Sequence, residues 1–364
     1  MKNKNILIYS LKSYRLFNDE SRISFGGAEV ESFLIAKELA KRKNFKVKVL
    51  LNKDLKNKNE IIENVKLEHI SNVFNQNFII KIFNLIKFNI KLIYEIYKTD
   101  VIFQEMATFE TGLITFYSKL FKKKIIYRIA SDKDLNGVFK KEHKYSGMLF
   151  EYGIRNANFL LAQSNYQLQI AKKINKNSIL MPSSLEINKK KNSKFNKDQF
   201  LWIGRIVKVK QIEIILKIAK ENQNKKFIII GPYSIKNNYV KKILKEINNI
   251  KNIKYFKYIK REELNKYYEK STYLINTSKF EGFPYTMLEA FLNSLPIISL
   301  NYNSDQIITN YNLGYFAEGK VSNINHFIQN LNLEERKIFS DNCYSFVNNK
   351  HNIKNNIKKI INIL

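Results

Sequence analysis

The sequence predicts an α/β protein built from two Rossmann-like domains in tandem. Its 364 residues, 45% of them hydrophobic, are too many for one typical core. Short β-rich runs alternate with helical patterns at the spacing of βα units, and several runs are continuously apolar, as in parallel strands covered on both faces. A polar, lysine-rich stretch over residues 186–198 interrupts this alternation once and is the predicted linker.

The predicted strands form two series, one on each side of the linker. The first series belongs to a domain over residues 1–185 and the second to a domain over 199–345. In sheets of this kind ligands bind beyond the carboxyl ends of the strands, so we expect a ligand in a cleft between the two sheets. The predicted strands are 5–11, 46–51, 100–104, 124–130, 157–162 and 178–181, followed by 200–204, 227–231, 253–256, 272–276, 296–300 and 314–317.

The first βα connection ends in Gly26 and Gly27, directly before an amphipathic helical pattern over 29–41. Two glycines let the backbone approach a ligand closely and leave helix N–H groups for an anion. They do not form GxGxxG, so the dinucleotide fingerprint is absent. A glycine pair before a helix is also common in ordinary turns.

Residues 77–98 form a long amphipathic pattern in which lysines recur among Ile, Phe, Leu and Tyr. One interpretation is a core helix of the first domain. The other is a basic, aromatic helix lying on a membrane surface, where each lysine near an anionic leaflet contributes about 1 kcal/mol.

Asp132 and Asp134 follow the predicted strand 124–130. Acids at the carboxyl end of a strand are candidates for handling a substrate hydroxyl, and they are equally candidates for helix caps. The histidines lack ligand spacing, so we predict no metal site.

In the second domain, Gly204 ends a strand, and Arg205 and Lys210 follow it within reach of one loop. Two fixed cations can stabilise the charge that gathers on a departing diphosphate without the help of a metal ion.

The segment 278–296 reads SKFEGFPYTMLEAFLNSLP and carries two acids. Pro284 is predicted as a first helical residue, with Glu281 just before the helix and Glu289 in its second turn. Backbone N–H groups of the first turn lie between the acids, which suits a ligand with an anion in the middle and hydroxyls at both ends. A nucleotide sugar has this layout. The alternative is a surface helix with a capping acid.

The net charge of +31 has three explanations: nucleic-acid binding, attraction to anionic lipid, and a compositional bias that raises Lys, Asn and Ile together. Lysines interrupt every apolar run before it reaches the roughly 18 residues that span a bilayer. The single cysteine, Cys343, excludes an internal disulfide, which is consistent with the cytoplasm.

Four motifs in order along the chain resemble the family-4 retaining glycosyltransferases of the GT-B architecture. They are GGAE before the first helix, AQSNYQ at 162–167, WIGR with Lys210 opening the second domain, and EGFPYTMLEA with acids eight positions apart. The resemblance implies transfer of a sugar from a nucleoside-diphosphate sugar to an acceptor hydroxyl with retained configuration. It also implies that no metal or other cofactor takes part, and that the C-terminal helix, about 346–364, crosses back to the first domain.

The resemblance also implies roles for individual residues. Glu281 would contact the donor sugar and Glu289 the ribose hydroxyls, while Arg205 and Lys210 would hold the diphosphate. Backbone groups would assist. Those of the second domain are at Gly204, Gly282, Phe283, Met287 and Leu288, and those of the first are at Gly26 and Gly27.

Three departures concern the surroundings of the two substrates. Many relatives carry a histidine after the strand that here ends at Ala130, and this chain has Ser131 and Asp132 instead. Asp132, with Asp134, is therefore our prediction for the acceptor side. Ser294 stands where many relatives have glycine, and the loop 301–306 lacks the usual glycines, which leaves the donor base and sugar open.

The sequence therefore predicts a hexosyl-type transferase acting in surface polysaccharide or glycolipid synthesis. It would be cytoplasmic, with a glycan or lipid-linked acceptor and an association with the anionic inner face of the membrane. Two alternatives remain: a nucleotide-sugar epimerase of the same fold, and a non-enzymatic, basic nucleic-acid-binding protein, which the lack of a recognised nucleic-acid module disfavours.

Overall fold

The computed structural model describes residues 3–17, 27–52, 60–71, 78–187, 198–233 and 237–364. The chain divides into two compact units. The first holds the described residues up to Ser184 together with Ile353–Leu364, and the second holds Leu185–Asn352. Ten residues of the predicted linker, 188–197, and Gly26 lie outside the described residues.

The first domain is built on an eight-stranded sheet in the order β3-β4-β2-β1-β5-β6-β7-β8, in which only β3 is antiparallel to its neighbour. Its strands are β1 (Lys4–Tyr9), β2 (Phe45–Asn52), β3 (Glu60–Ile62), β4 (Val65–Ile70), β5 (Val101–Glu105), β6 (Lys124–Arg128), β7 (Phe159–Ala162) and β8 (Ser178–Leu180). Its helices are α1 (Tyr14–Phe17), α2 (Gly27–Ala40), α3 (Phe78–Tyr97), α4 (Glu110–Leu120), α5 (Val138–Glu142), α6 (Lys144–Asn156) and α7 (Asn165–Ile174).

The second domain is built on a six-stranded, fully parallel sheet in the order β11-β10-β9-β12-β13-β14. Its strands are β9 (Gln199–Ile203), β10 (Lys226–Ile230), β11 (Ile253–Phe256), β12 (Tyr273–Asn276), β13 (Ile297–Ser299) and β14 (Gly314–Phe316). Its helices are α8 (Ile212–Glu221), α9 (Asn238–Asn248), α10 (Arg261–Lys270), α11 (Tyr285–Leu292), α12 (Ile307–Asn310), α13 (Val321–Gln329) and α14 (Leu333–Lys350).

The core of the second domain shows why its strands are continuously apolar. Phe200 and Trp202 of β9 point to one face of the sheet and join a cluster of buried side chains there. Leu201 points to the opposite face and joins a second cluster with α11 and α14. Because successive side chains alternate between the faces and helices cover both, each position of the strand must be apolar.

The last helix, α15 (Ile353–Ile361), belongs to the first domain, as predicted, but it begins later than the predicted start at about 346, because residues up to Lys350 form α14 of the second domain. It packs against α2, and its apolar stripe, Ile353, Ile357 and Ile360, is buried. Lys359 Nζ donates to the Leu180 carbonyl at 2.9 Å, and Asn356 Nδ2 donates to Ser184 Oγ at 3.1 Å. These contacts fasten the C-terminus to the end of the first sheet.

All twelve predicted strands form, each within two residues of its predicted bounds. The hairpin of β3 and β4 was missed. The sequence VKLEHI of β4 has charged or polar side chains at three of its six positions, which obscures its alternation, yet the strand pairs with β2 along its whole length. Among the described residues, no helix is long and apolar enough to cross a membrane.

Candidate active site

The loop after β12 is tied to the loop after β9, and this brings residues about seventy positions apart together. Thr277 Oγ1 donates to the Lys210 carbonyl at 2.7 Å and accepts a bond from Trp202 Nε1 at 3.0 Å. The backbone N–H of Lys279 donates to the Val209 carbonyl at 2.8 Å. Since both strands end at the same edge of the sheet, the two loops form one surface.

Lys210 and Glu281 form an ion pair on this surface, with Lys210 Nζ donating to Glu281 Oε1. The two side chains are 22% and 13% exposed. An ammonium group has three donors, so its bond to Glu281 leaves two for a ligand. The sequence predicted both residues at the site but did not predict that they pair. The carboxylate therefore fixes the position of the ammonium group.

Arg205 lies one residue beyond Gly204, and its side chain is exposed. Within the described part of the chain, its guanidinium group forms no hydrogen bond or ion pair. Its rigid set of five donors is well suited to phosphate oxygens. Arg205 is thus available to an anionic ligand, whereas Lys210 is already held by a carboxylate.

Gly204 has a steric role. A Cβ atom there would lie 3.2 Å from the Trp202 indole and 3.7 Å from Lys210 Cδ. At Gly231, which follows β10, a Cβ atom would come within 2.5 Å of the Gly204 carbonyl oxygen. The second glycine was not singled out from the sequence, although its place after a buried strand could have indicated it. Together they let the loop after β9 pack closely.

Helix α11 begins at Tyr285, one residue later than predicted. Pro284 has ψ 116°, which is extended, so it is the residue before the helix rather than its first residue. The N–H of Met287 donates to the Pro284 carbonyl at 3.0 Å and is already used in this structure. Met287 and Leu288 are fully buried on the core side of the helix, so any contact they make with a ligand would involve the backbone.

Glu289 lies in the second turn of α11, as predicted, and is half-buried. Its Oε2 accepts a hydrogen bond from the Tyr268 hydroxyl at 2.9 Å. Tyr268 comes from α10 and is almost fully buried, so it restricts where the carboxylate can point. Sequence reasoning missed Tyr268, which lies in the polar pattern REELNKYYEK and gives no sign of this role.

Gly282 and Phe283 link the two acids. Phe283 is half-buried, and its ring lies 5.0 Å from the His351 ring and 6.3 Å from the Tyr302 ring, measured between centroids. Beside them is a small depression with Lys210 and Glu281 in its wall. Its other polar side chains, which sequence reasoning missed, are Asn276, Ser278 and Thr286.

In the first domain, Gly27 is the first residue of α2. Asp132 is partly buried, and its Oδ1 accepts a bond from Gln167 Nε2 at 2.9 Å. Gln167 belongs to the AQSNYQ motif, in which Ser164 caps α7 by accepting from the Gln167 N–H at 3.1 Å. Asp132 is thus held in a defined position after β6.

Asp134 fits the capping interpretation. It is buried, and its Oδ2 accepts hydrogen bonds from the Tyr127 hydroxyl at 3.0 Å and the Ala130 N–H at 2.9 Å. It also completes a capping box with Ser131. Burial raises the pKa of Asp134 to about 6, while these hydrogen bonds counteract the shift.

Asp134 should make the stability of the protein depend on pH. Between an unfolded pKa of about 3.9 and the folded pKa of about 6, the native state holds a proton that the unfolded state releases. The contribution of Asp134 to the free energy of unfolding is fully present below the unfolded pKa. Between the two pKa values it falls as pH rises, by about 1.4 kcal/mol per pH unit. Urea unfolding at pH 4.5 and 6.5 should show this loss in the wild type and not in Asp134→Asn. An equal slope in both proteins would contradict the assignment.

The first domain also contains a buried charge cluster that the sequence analysis missed. Arg128, at the end of β6, pairs through Nη1 with Glu105 at the end of β5, and its Nη2 lies 3.8 Å from Glu31 Oε1 of α2. Ser183 Oγ accepts from Arg128 Nη2 at 3.0 Å and donates to Gln163 Oε1 at 2.9 Å. Burial raises the pKa of Glu31 and raises that of Glu105 further, although the guanidinium group opposes both shifts.

These features define the class of fold and site: two doubly wound α/β domains, the second carrying an acid-and-cation surface at the carboxyl edge of its sheet. Residues 183–359, just under half of the chain, match the model of the family described as "Glycosyl transferases group 1". By this match, the second domain has the sequence pattern of that family. A comparison with curated protein sequences gave no match.

Solved structures match the whole chain, which confirms the GT-B fold that the resemblance implied. Sucrose-phosphate synthase from Thermosynechococcus elongatus is 13% identical, with a TM-score of 0.78 over 99% of this chain and 98% of that one. Anabaena Alr3699/HepE, described in complex with UDP-glucose, is 15% identical, with a TM-score of 0.76 over all of both chains. A mutant of S. aureus TarM, in complex with Fondaparinux, alpha-GlcNAc-glycerol and UDP, is 14% identical, with a TM-score of 0.73 over 99% of each.

Proposed function

We propose that this protein is a retaining glycosyltransferase that moves a hexose-type sugar from a nucleoside-diphosphate sugar to an acceptor hydroxyl. The observation that carries the proposal is the pairing of Lys210 with Glu281 at the strand ends of a domain that matches group 1 glycosyl transferases. The exposed Arg205 beside it supplies a second cation. Carboxylates and cations at the carboxyl edge of the second sheet suit a ligand that carries both hydroxyls and phosphates.

Each residue has a proposed part in the reaction. The bond between the anomeric carbon of the sugar and the diphosphate oxygen breaks, and a bond from that carbon to the acceptor oxygen forms on the same face. The acceptor hydroxyl gives its proton to the departing diphosphate oxygen. Lys210 and Arg205 stabilise the negative charge that gathers on the diphosphate. Glu281 contacts the sugar and orients Lys210. Glu289, held by Tyr268, accepts hydrogen bonds from the ribose hydroxyls.

Asp132 is the proposed contact for the acceptor hydroxyl, because it is the acid held in position after β6. Asp134 is not a proposed contact for the acceptor, since its carboxylate already accepts hydrogen bonds from Tyr127 and the Ala130 N–H.

A thermal-shift comparison of UDP-, GDP- and ADP-sugars tests the donor. UDP-sugars come first, because HepE and TarM are described with UDP-glucose and UDP. A donor at about 100 times its dissociation constant should stabilise the protein by about 2.7 kcal/mol.

We expect the rate of sugar transfer from this donor to be unchanged after chelation of divalent ions. The reason is that Lys210 and Arg205, in this proposal, neutralise the charge of the diphosphate.

Two results would contradict parts of this proposal. Conversion of the nucleotide sugar in the absence of any acceptor would identify an epimerase. A transfer rate that disappears with chelation and returns with added Mg²⁺ would contradict the metal-independent mechanism, though not transfer itself.

We further propose that the acceptor is lipid-linked and that the enzyme works on surface polysaccharide or glycolipid at the cytoplasmic face of a membrane. The excess of 63 Lys and Arg residues over 32 Asp and Glu residues supports an anionic partner of this kind. The first domain contains a surface on which that association can be tested.

A further inference from the structure

Helix α3 has two apolar faces that point in opposite directions. Phe88, Leu92 and Ile96, spaced four residues apart, are buried in the core of the first domain. Ile82, Phe83, Ile86, Ile90 and Tyr94 recur at helical spacing on the other side and are exposed, Phe83 by 59% and Ile90 by 64%. A surface helix normally turns its polar side to water. The second stripe, which we call the α3 apolar face, is therefore unusual.

The charge around the α3 apolar face has one sign. Lys87 and Lys98 flank it, with Lys87 Nζ 4.4 Å from the centre of the Phe83 ring and Lys98 Nζ 4.2 Å from that of Tyr94. The single acid of the helix, Glu95, is buried and bonded to Lys48 and Lys91. Every exposed charge on the described part of α3 is therefore positive.

The neighbouring helix extends this surface. Phe116 and Leu120 of α4 are exposed, by 51% and 62%. The ring of Tyr97, at the end of α3, contacts Phe121 at 5.5 Å, and Lys123 Nζ lies 5.8 Å from the centre of the Tyr97 ring. Apolar side chains edged by lysines thus continue from one helix to the next. Exposed apolar side chains that continue over two neighbouring helices and are edged by charged groups are typical of interaction sites.

We infer that the α3 apolar face docks the protein on an anionic lipid bilayer, with Ile82, Phe83, Ile86 and Ile90 entering the boundary between headgroups and acyl chains. The lysines would keep their stems on the apolar layer and extend their ammonium groups to lipid phosphates. The helix would lie along the surface, because its opposite face is packed in the domain core. This inference rests on the proposed function in one respect: a lipid-linked acceptor is the reason for the enzyme to bind a bilayer.

Two other occupants fit these observations less well. In a symmetric dimer the same patch faces itself, so the lysines of two copies would meet without an exposed acid on α3 to pair with them. Duplex DNA would satisfy the lysines but would leave the central isoleucines in water, since its outer surface is phosphate.

Sedimentation of the full chain with vesicles tests the inference. We expect binding to vesicles of 30% phosphatidylglycerol in phosphatidylcholine and much weaker binding to phosphatidylcholine alone. Ile86→Glu/Ile90→Glu should weaken binding to the anionic vesicles at least tenfold. The control is Leu333→Glu/Ile338→Glu, which adds the same charge at exposed apolar positions of α14 in the second domain and should bind like the wild type.

A second measurement avoids dependence on the folding of the glutamate variant. Cys343 is fully buried, so a thiol introduced by Ile90→Cys can be labelled selectively with an environment-sensitive fluorophore. Anionic vesicles should shift its emission to the blue, and the same label at Ile338→Cys should not respond.

Several results would overturn the inference. The wild type would fail to sediment with vesicles, would bind both kinds of vesicle equally, or would bind no better than Ile86→Glu/Ile90→Glu. A wild-type dimer in ultracentrifugation that Ile86→Glu/Ile90→Glu dissociates would identify a second copy of the chain as the partner instead. The thermal shift with nucleotide sugars separates this test from the proposed function. If Ile86→Glu/Ile90→Glu binds the donor but not vesicles, both proposals are supported. If the wild type binds vesicles but no nucleotide sugar shifts its melting temperature, the docking surface is supported and the transferase function is contradicted.

Discussion

Lys210→Met is expected to lower kcat/KM for sugar transfer by at least about a hundredfold while leaving the fold intact. Removing one group that stabilises charge developing in a transition state typically costs a hundredfold to a thousandfold in rate. Lys210 is positioned for this role because Glu281 holds its ammonium group. Since Lys210 is partly exposed, we expect the loss of its ion pair to change stability by no more than about 1 kcal/mol.

Lys208→Met provides the matched control. Lys208 belongs to the same helical turn, Lys208–Lys210, and is exposed. Its replacement removes the same charge from the same loop and should leave kcat/KM within about threefold of the wild type, as expected for an exposed charge that solvent and salt screen. Equal losses in the two variants would mean that the loop contributes only general positive charge.

A double-mutant cycle with Glu281→Gln tests whether the pair acts as a unit. If Glu281 orients Lys210, the double variant should lose far less than the product of the two single losses, because residues that act together are not additive. Independent losses would give Glu281 a role in sugar contact alone. Full activity in Glu281→Gln would contradict the assignment of this site.

In the second domain, the strands and the position of the candidate site residues were largely predictable from sequence, because those residues stand out by type. Arg205, Lys210 and Glu281 follow the ends of strands, where the fold places ligands, and Glu289 lies in the second turn of the helix after them. What could not be predicted are the contacts that hold them. The pairing of Lys210 with Glu281 depends on the hydrogen bonds of Thr277, and the contact of Tyr268 with Glu289 depends on the packing of α10.

The first domain was less predictable, because its polar groups are buried where the pattern predicts apolar core. Glu105 ends a continuously buried strand, and Glu31 lies on the inner side of α2. A charged residue in such a place is stable only with a partner, and the partner, Arg128, comes from another strand. Helix α3 could not be assigned either, since periodicity marks an apolar face but does not indicate which of two faces the core will cover.

Arg128→Met is expected to lower the free energy of unfolding of the first domain by about 3 to 5 kcal/mol at pH 8. Removing one partner of a buried ion pair leaves an uncompensated buried charge, which typically costs this much. Here it would leave two, since Glu31 and Glu105 share the one guanidinium group. Arg155→Met, at an exposed position of α6 in the same domain, is the control and should change stability by less than about 1 kcal/mol.

The pH dependence of this loss identifies its cause. Arg128 opposes the rise in the pKa of both glutamates, so its removal should raise both values further and let the native state bind protons that the unfolded state releases. Stability of the variant should therefore fall as pH rises, and the deficit should be smaller at pH 5 than at pH 8. A deficit caused only by lost packing would be the same at both values.

Neutralising the two acids should then restore stability. In Arg128→Met/Glu31→Gln/Glu105→Gln no charge remains in the cluster, and replacing a buried ion group by neutral residues is often close to neutral in free energy. The sole tryptophan, Trp202, lies in the second domain, so its fluorescence during urea unfolding provides an internal reference while circular dichroism follows both domains. If the triple variant stays as unstable as Arg128→Met, then Arg128 stabilises the fold through its hydrogen bond to Ser183 and its packing, not by compensating the two carboxylates.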